Sequence, residues 1–226
     1  MLGRFNPRQG WDVIGWELAV VVIGVLIALG AQQVADDLHW RAQVDEFRNA
    51  LRAEASLALG TYEFRNKQNA CVEHRLDELQ RWLDSWRAGR PLKIQGPIGV
   101  PTSLTVETSV WESRDAATVA HMALQEKLDY GHLYNEFANN DVHRLDERAA
   151  WLELGNYDGA TELDHQDLMR LQGLITRARF RDYRMTTNSQ RFLKRAAQIG
   201  LKPRADPAWP APLPEICRPI LKGQSS

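Results

Sequence analysis

The chain has 226 residues, of which 44% are hydrophobic and 25% charged, with a formal net charge of −1. That balance gives no sign of nucleic acid or of an acidic polymer as a partner. Its two cysteines show no C-x-x-C or zinc-ligand spacing, and the length beyond an N-terminal apolar run suffices for one domain with a real core.

In chain order the first element is also the most informative. Leu18 to Ala31 is an unbroken apolar run, extended backward through Val13, Ile14 and Trp16 and forward through the uncharged Gln32, Gln33, Val34 and Ala35. As a helix, Val13 to Ala35 rises roughly 35 Å, enough for a hydrocarbon core of about 30 Å. Its Val, Ile and Leu side chains favour insertion by roughly 4 kcal/mol. Glu17 sits one turn inside the start, where an ionised group reaches headgroups. Trp11, Trp16 and Trp40 bracket the segment as interfacial anchors do. Residues 12–35 therefore read as a transmembrane helix after a short cytoplasmic segment, 1–11. Two other readings share the run: a cleaved signal peptide with Ala28-Leu-Gly30 as its small-x-small site, and a buried core helix. Asp12 and Glu17 make a poor positively charged leader. Basic residues flank the run almost evenly, with Arg4 and Arg8 before it and Arg41 and Arg48 after it. A long C-terminal domain translocates largely regardless of charge, and the reading adopted is N-terminus inside with the bulk of the chain on the far side of the membrane. Within the span, Gly15 and Ala19, and again Gly24 and Ala28, are small residues four apart, a spacing that lets another transmembrane helix approach closely.

Residues 36–201 read as a helical bundle. From Asp36 to Arg87 the apolar positions Leu38, Val44, Phe47, Leu51, Ala55, Ala58 and Tyr62, then Val72, Leu76, Leu79, Leu83 and Trp86, recur at helical spacing. Gly60 is the one weak point, costing about 1 kcal/mol relative to Ala, and Gly89 and Pro91 end the helix. Pro91 to Leu104 is a connector rich in breakers. Ser109-Val-Trp-Glu112 fits a capping box opening a second helix rich in small residues (Ala116, Ala117, Val119, Ala120, Ala123). Leu124, Leu128, Tyr134, Phe137, Val142, Leu145 and Leu152 support a third, ending near Gly155. After a turn, Glu162 to Gly200 forms the last, with Leu168, Leu171, Leu174, Ile175, Phe180, Tyr183, Phe192, Leu193 and Ala197 as core candidates. Residues 202–226, with six prolines, read as an extended tail. The fold class expected is all-α: a transmembrane helix continuing into an antiparallel helical bundle with a Pro-rich tail.

Charge is partitioned. Acids dominate from Glu126 to Asp167 and bases from Met169 to Arg204. Antiparallel helices that pair these charges account for the pattern, each exposed pair contributing about 0–1 kcal/mol. The alternative is a basic helix turned toward anionic headgroups or an acidic partner, with Arg177, Arg181 and Arg184 in contact. Trp209 in the stiff tail is a second contact candidate, unless it packs back on its own bundle. Cys71 and Cys217 are either two unrelated buried thiols or, in an oxidising compartment, a disulfide tying the tail to the first long helix.

Little of the sequence points to chemistry. Glu162-Leu-Asp-His165 has the Glu-x-x-His spacing of di-iron bundles, but no second copy occurs. His132 with Glu136, and His121, His143, Asp141 and Asp167, specify no metal site, and solvated histidines account for them. With no nucleophile elbow, phosphate-binding loop or dinucleotide fingerprint, the chain reads as a non-enzyme with no catalytic residues, metal, cofactor or identified small-molecule substrate. Its expected partners are membrane lipid and other membrane-protein subunits.

Glu17-Leu-Ala-Val-Val-Val-Ile-Gly-Val-Leu-Ile-Ala-Leu29, followed by a polar Gln pair and a long charged helix, resembles a bacterial family of uncharacterised single-pass membrane proteins with an E-x-x-x-V-V-I-G-x-L-I-A-L anchor. Val110-Trp-Glu-Ser-Arg-Asp-Ala-Ala117 is similar to the Trp-centred second helix of such proteins. Val34-Ala-Asp-Asp37 departs from the pattern, standing where an Asn-Asn-Trp-type segment would be. The resemblance implies an inner-membrane protein with a helical extramembrane domain, and carries no activity or site residues. The expectation is a single-pass structural or interaction protein, an accessory or scaffold subunit of a larger inner-membrane complex. A ligand-sensing periplasmic bundle acting through a partner is the alternative.

Overall fold

The computed structural model describes residues 7–207, 209 and 215–221, with side chains from residue 15 onward. The segment 1–6, the Trp11 side chain and Pro210, Pro212 and Pro214 lie outside the described residues. Among the described residues six α-helices follow in order: α1 (Pro7–Lys67), α2 (Asn69–Arg87), α3 (Ser109–Glu112), α4 (Ala116–Ala120), α5 (Leu124–Gly155) and α6 (His165–Gln198). A 3₁₀ turn, Glu215–Cys217, lies in the tail. Among the described residues there is no strand, only an isolated bridge between Ile94 and Leu221. The chain is all-α, and its contacts divide it into two units, 1–48 with 115–122 and 49–114 with 123–226.

In the first unit, α1 carries the apolar run, and residues 15–39 are exposed throughout. Val44 and Met122 are its buried apolar residues. Asp115 caps α4 by accepting from the Thr118 amide at 2.8 Å, which holds its carboxyl below the usual carboxylate range. The Trp40 and His121 rings stack at 4.2 Å.

The second unit is a bundle of the later part of α1 with α2, α5 and α6. The helix expected from Asp36 to Arg87 is nearly continuous, with one interruption at Gln68. There the ladder tightens to an Arg65 carbonyl bond, and the Gln68 amide pairs both ways with the Thr102 backbone, at 2.9 and 3.0 Å. The break is thus where the connector docks. Gly89, at φ +67°, ends α2 in the left-handed conformation open to glycine. Cross-helix pairs give the directions. Glu153 meets Arg177, Asp146 meets Arg181 and Glu136 meets Arg191, so α5 and α6 are antiparallel. Gln80 meets Gln172 and Asp77 meets Arg179, so α2 and α6 are antiparallel as well. By contrast Glu54 meets Tyr134 and Arg65 meets Glu147, so α1 and α5 run the same way. Since α1 and α2 follow almost end to end, the bundle has three long members, and the expected second helix is not a fourth. Its Ser109–Ala123 stretch forms only the short turns α3 and α4. Thr108, not Ser109, is the N-cap of α3.

Leu51, Ala55, Leu59 and Tyr62 of α1 are buried in the core, with Val72, Leu76, Leu79 and Leu83 of α2, Leu133, Phe137, Trp151 and Leu154 of α5, and Leu171, Leu174, Ile175 and Phe192 of α6. Trp82 is also buried, its Nε1 donating to the Leu92 carbonyl. The tail is not simply extended. Ile216 and Ile220 are buried in the core, and Cys71 and Cys217 form a disulfide across a sequence separation of 146. Arg75 and Glu78 of α2 complete the attachment. Arg75 donates to the Ile98 and Arg218 carbonyls, while Glu78 Oε1 accepts the Ile220 and Leu221 amides at 3.0 and 3.1 Å. One buried ion pair therefore clips both the connector and the tail to the same helix.

Candidate functional site

Two buried polar networks were not legible as pairs in the sequence. Arg65 of α1 reaches Glu147 of α5 and Asp182 of α6, the latter at 2.7 Å. All three are almost fully buried. Burial disfavours the guanidinium charge, but the two carboxylates outweigh it and hold the Arg65 pKa above its ordinary value. A group of this kind fixes the relative register of three helices, because each partner has only one place to satisfy its charge. The second network centres on Glu54. Its carboxylate accepts the Tyr134 hydroxyl at 2.8 Å, the Ser109 hydroxyl at 3.1 Å and the Val110 amide at 2.8 Å. It acts as a remote cap on α3 and seats Trp111, whose ring stacks on Tyr134 at 5.2 Å. Burial, then the bond to Glu54, raises the Tyr134 phenol far above its usual range. Both networks are made of groups from the chain itself, tying α1 to α5 and α6 in the first and to α3 and α5 in the second.

Of the residues singled out for chemistry, His132 and Glu136 meet at 3.7 Å, whereas the Glu162/His165 pair is split by a helix start. Asp164 is the N-cap of α6, in a reciprocal capping box with Asp167. Glu162 therefore precedes the helix that His165 begins, and the two never share a helical face. Among the described residues no group of three or more His, Cys, Asp or Glu is placed to hold a metal ion.

The contact candidates divide. Gly15, Ala19, Gly24 and Ala28 lie on the exposed part of α1, and an added β-carbon at either glycine meets nothing within 4 Å. Arg177 and Arg181 are engaged by their own chain, with Glu153 at 3.3 Å and Asp146 at 3.0 Å. Arg184 faces His143 at 3.3 Å. Partial burial, Arg184 and Arg181 together depress the His143 pKa, disfavouring the charged imidazolium. The segregated charge is therefore used between α5 and α6. Trp209 is also taken up internally: its ring lies beside Phe64, with centroids 6.1 Å apart, and over Gly60.

What remains open is the outer side of the α5–α6 hairpin. A groove of ≈ 670 Å³ runs there between Val142 and His143 on one wall and Tyr183, Arg184 and Arg191 on the other. Asn140 and Asn188 are joined across its floor at 2.9 Å. The apolar residues Leu124, Leu128, Val142, Leu145 and Leu152 of α5, and the expected core residues Phe180 and Tyr183 of α6, are all more than half exposed, and of these Val142 and Tyr183 line the groove. Leu38 and Ala197 are exposed too. The class these features define is an all-α bundle preceded by a helix long and apolar enough to cross a membrane. Comparisons with protein families, curated proteins and solved structures give no match.

Proposed function

We propose that this chain is a single-pass, membrane-anchored structural and interaction protein. It serves as an accessory or scaffold subunit of a larger bacterial inner-membrane complex, with residues 12–35 in the bilayer and the helical domain in the periplasm. One observation carries the reading: the most apolar window of α1 has a mean hydropathy of 2.3, and none of it is buried. A continuous apolar surface of that length needs lipid or protein around it. The Cys71–Cys217 disulfide supports an oxidising compartment for the domain. The likeness of the anchor to that of bacterial single-pass proteins points the same way. The small residues Gly15, Ala19, Gly24 and Ala28 suit contact with another span. No catalytic residue, metal or cofactor is assigned.

The groove between α5 and α6 favours a second reading, a ligand-sensing bundle that signals through a partner. Mild-detergent extraction from native membranes, sizing and mass spectrometry separate the two. A reproducible, stoichiometric larger partner supports the subunit reading. Migration alone or as copies of itself, with a small molecule retained in the groove, supports the sensor.

A further inference from the structure

Helix α5 is apolar on two opposite faces. One is the core face of Leu133, Phe137, Trp151 and Leu154. The other is Leu124, Leu128, Gly131, Asn135, Ala138, Val142, Leu145, Ala149 and Leu152, which alternate four-three without a break. That is the 3.5-residue period of a coiled-coil seam. Val142, Leu145 and Leu152 are 58%, 52% and 52% exposed, and Asn135, Ala138 and Ala149 are exposed as well. Among the described residues only the Gly131 layer is occupied, by Trp111, 3.4 Å from where a β-carbon would stand. The free part of the seam thus runs from Asn135 to Leu152.

We propose that two copies of this chain pair through this face, α5 on α5, as a short parallel coiled coil. The residue types select that occupant. With Leu145 and Leu152 at the d positions, Asn135 and Val142 fall at a. A β-branched a residue with Leu at d favours two parallel strands, and one Asn at a fixes register by pairing with its own copy. Arg148, at a flanking g position, has no hydrogen-bond or ion-pair partner in its own chain among the described residues. In a parallel pair it meets Glu153 of the second copy at e. The one like-charged flanking match, Asp141 with Asp146, is softened because each acid already pairs within its chain, with Arg144 and Arg181. The bundle has already ordered α5, so pairing costs no coil-to-helix entropy, which is what makes so short a seam sufficient. Tyr183, lining the same groove as Val142, widens the apolar face. The seam lies wholly within the second unit and does not depend on the anchor reading.

The test uses the full chain in its native membranes. Because both native cysteines are in the disulfide, Val142→Cys adds the only free thiol, and Glu73→Cys, exposed on α2, is the control. Under mild copper oxidation Val142→Cys is expected to give a covalent species of twice the chain mass, at least tenfold more than Glu73→Cys. Adding Leu145→Asp and Leu152→Asp, both on the exposed face, should abolish it while leaving the far-UV circular dichroism spectrum unchanged. Equal cross-linking of the two cysteines, or a product of another mass, overturns self-pairing. In mixed membranes, Asn135→Cys joined to Leu152→Cys in preference to its own kind overturns the parallel register. Carbonate extraction of the same samples reports separately on the anchor.

Discussion

Gly60 offers a case in which sequence propensity and tertiary structure predict opposite signs. Inside α1, Gly60→Ala should gain about 1 kcal/mol of helix propensity. The structure places the tail against that spot. A β-carbon on Gly60 would overlap the Arg204 carbonyl oxygen and come within 2.8 Å of both its carbon and Trp209 Cη2. Ordinary contact begins near 3.4 Å, so the Arg204 carbonyl oxygen must retreat by more than about 1 Å. Overpacking of this sort costs about 1–3 kcal/mol. The retreat also strains the Arg204 amide bond to the Ser56 carbonyl, 2.8 Å long, worth about 1 kcal/mol. Set against the propensity gain, the net is destabilisation by about 1–3 kcal/mol, or roughly 3–10 °C in Tm for a domain of this size. Thermal unfolding by circular dichroism in detergent, without reductant, reads it. Gly173→Ala is the control, since nothing lies within 4 Å of the added carbon; it should raise Tm by a few degrees. A Gly60→Ala variant that gains as much as Gly173→Ala would refute the close approach of the tail.

Three further outcomes are expected. Arg65→Met leaves Glu147 and Asp182 buried without their cation and should cost about 3–5 kcal/mol, whereas Arg65→Met/Glu147→Leu/Asp182→Leu should recover most of it; chemical denaturation of both variants checks this, and an equal loss in the triple variant contradicts it. Replacing Cys71 and Cys217 by Ser frees a tail closed over 146 residues and should cost about 2–4 kcal/mol; two free thiols in the denatured, unreduced wild-type protein would contradict the bond itself. His143 has a depressed pKa in the folded chain, so folding disfavours its proton. Its contribution is complete above the unfolded value of about 6.5, falls as pH drops toward the folded pKa and then levels off. An NMR titration should place its midpoint below 6.5 and show it rising in Arg184→Ala, and a midpoint at or above 6.5 would contradict the assignment.

The local signals in the sequence were legible where one residue decides an outcome. Gly89 ends α2, Gly155 ends α5, and the breakers of Pro91 to Leu104 leave that stretch without helix. Periodicity misled where a helix has two apolar faces. Leu124, Leu128, Val142, Leu145 and Leu152 keep helical spacing as faithfully as Phe137 and Trp151 do, and spacing alone cannot say which set turns inward. Only the placement of α6 and α1 decides it. The Glu-x-x-His motif failed for a local reason: Asp164 caps against Asp167 and starts the helix after Glu162. Arg65, Glu54 and Glu78 were missed because their partners lie 82, 80 and 142 residues away, a range at which sequence carries no pairing signal. Six prolines suggested an extended tail and obscured two buried isoleucines, whereas the Cys71–Cys217 bond that brings the tail back to α2 was one of the two readings the cysteines offered.

Residues 12–35 are proposed to hold the chain in a bilayer. Alkaline carbonate extraction of native membranes, with N-terminal sequencing of the retained protein, tests it most directly. An anchored chain stays with the lipid pellet, and its N-terminus still precedes Val13. Release into the supernatant, or a mature chain that starts after Gly30, would contradict it.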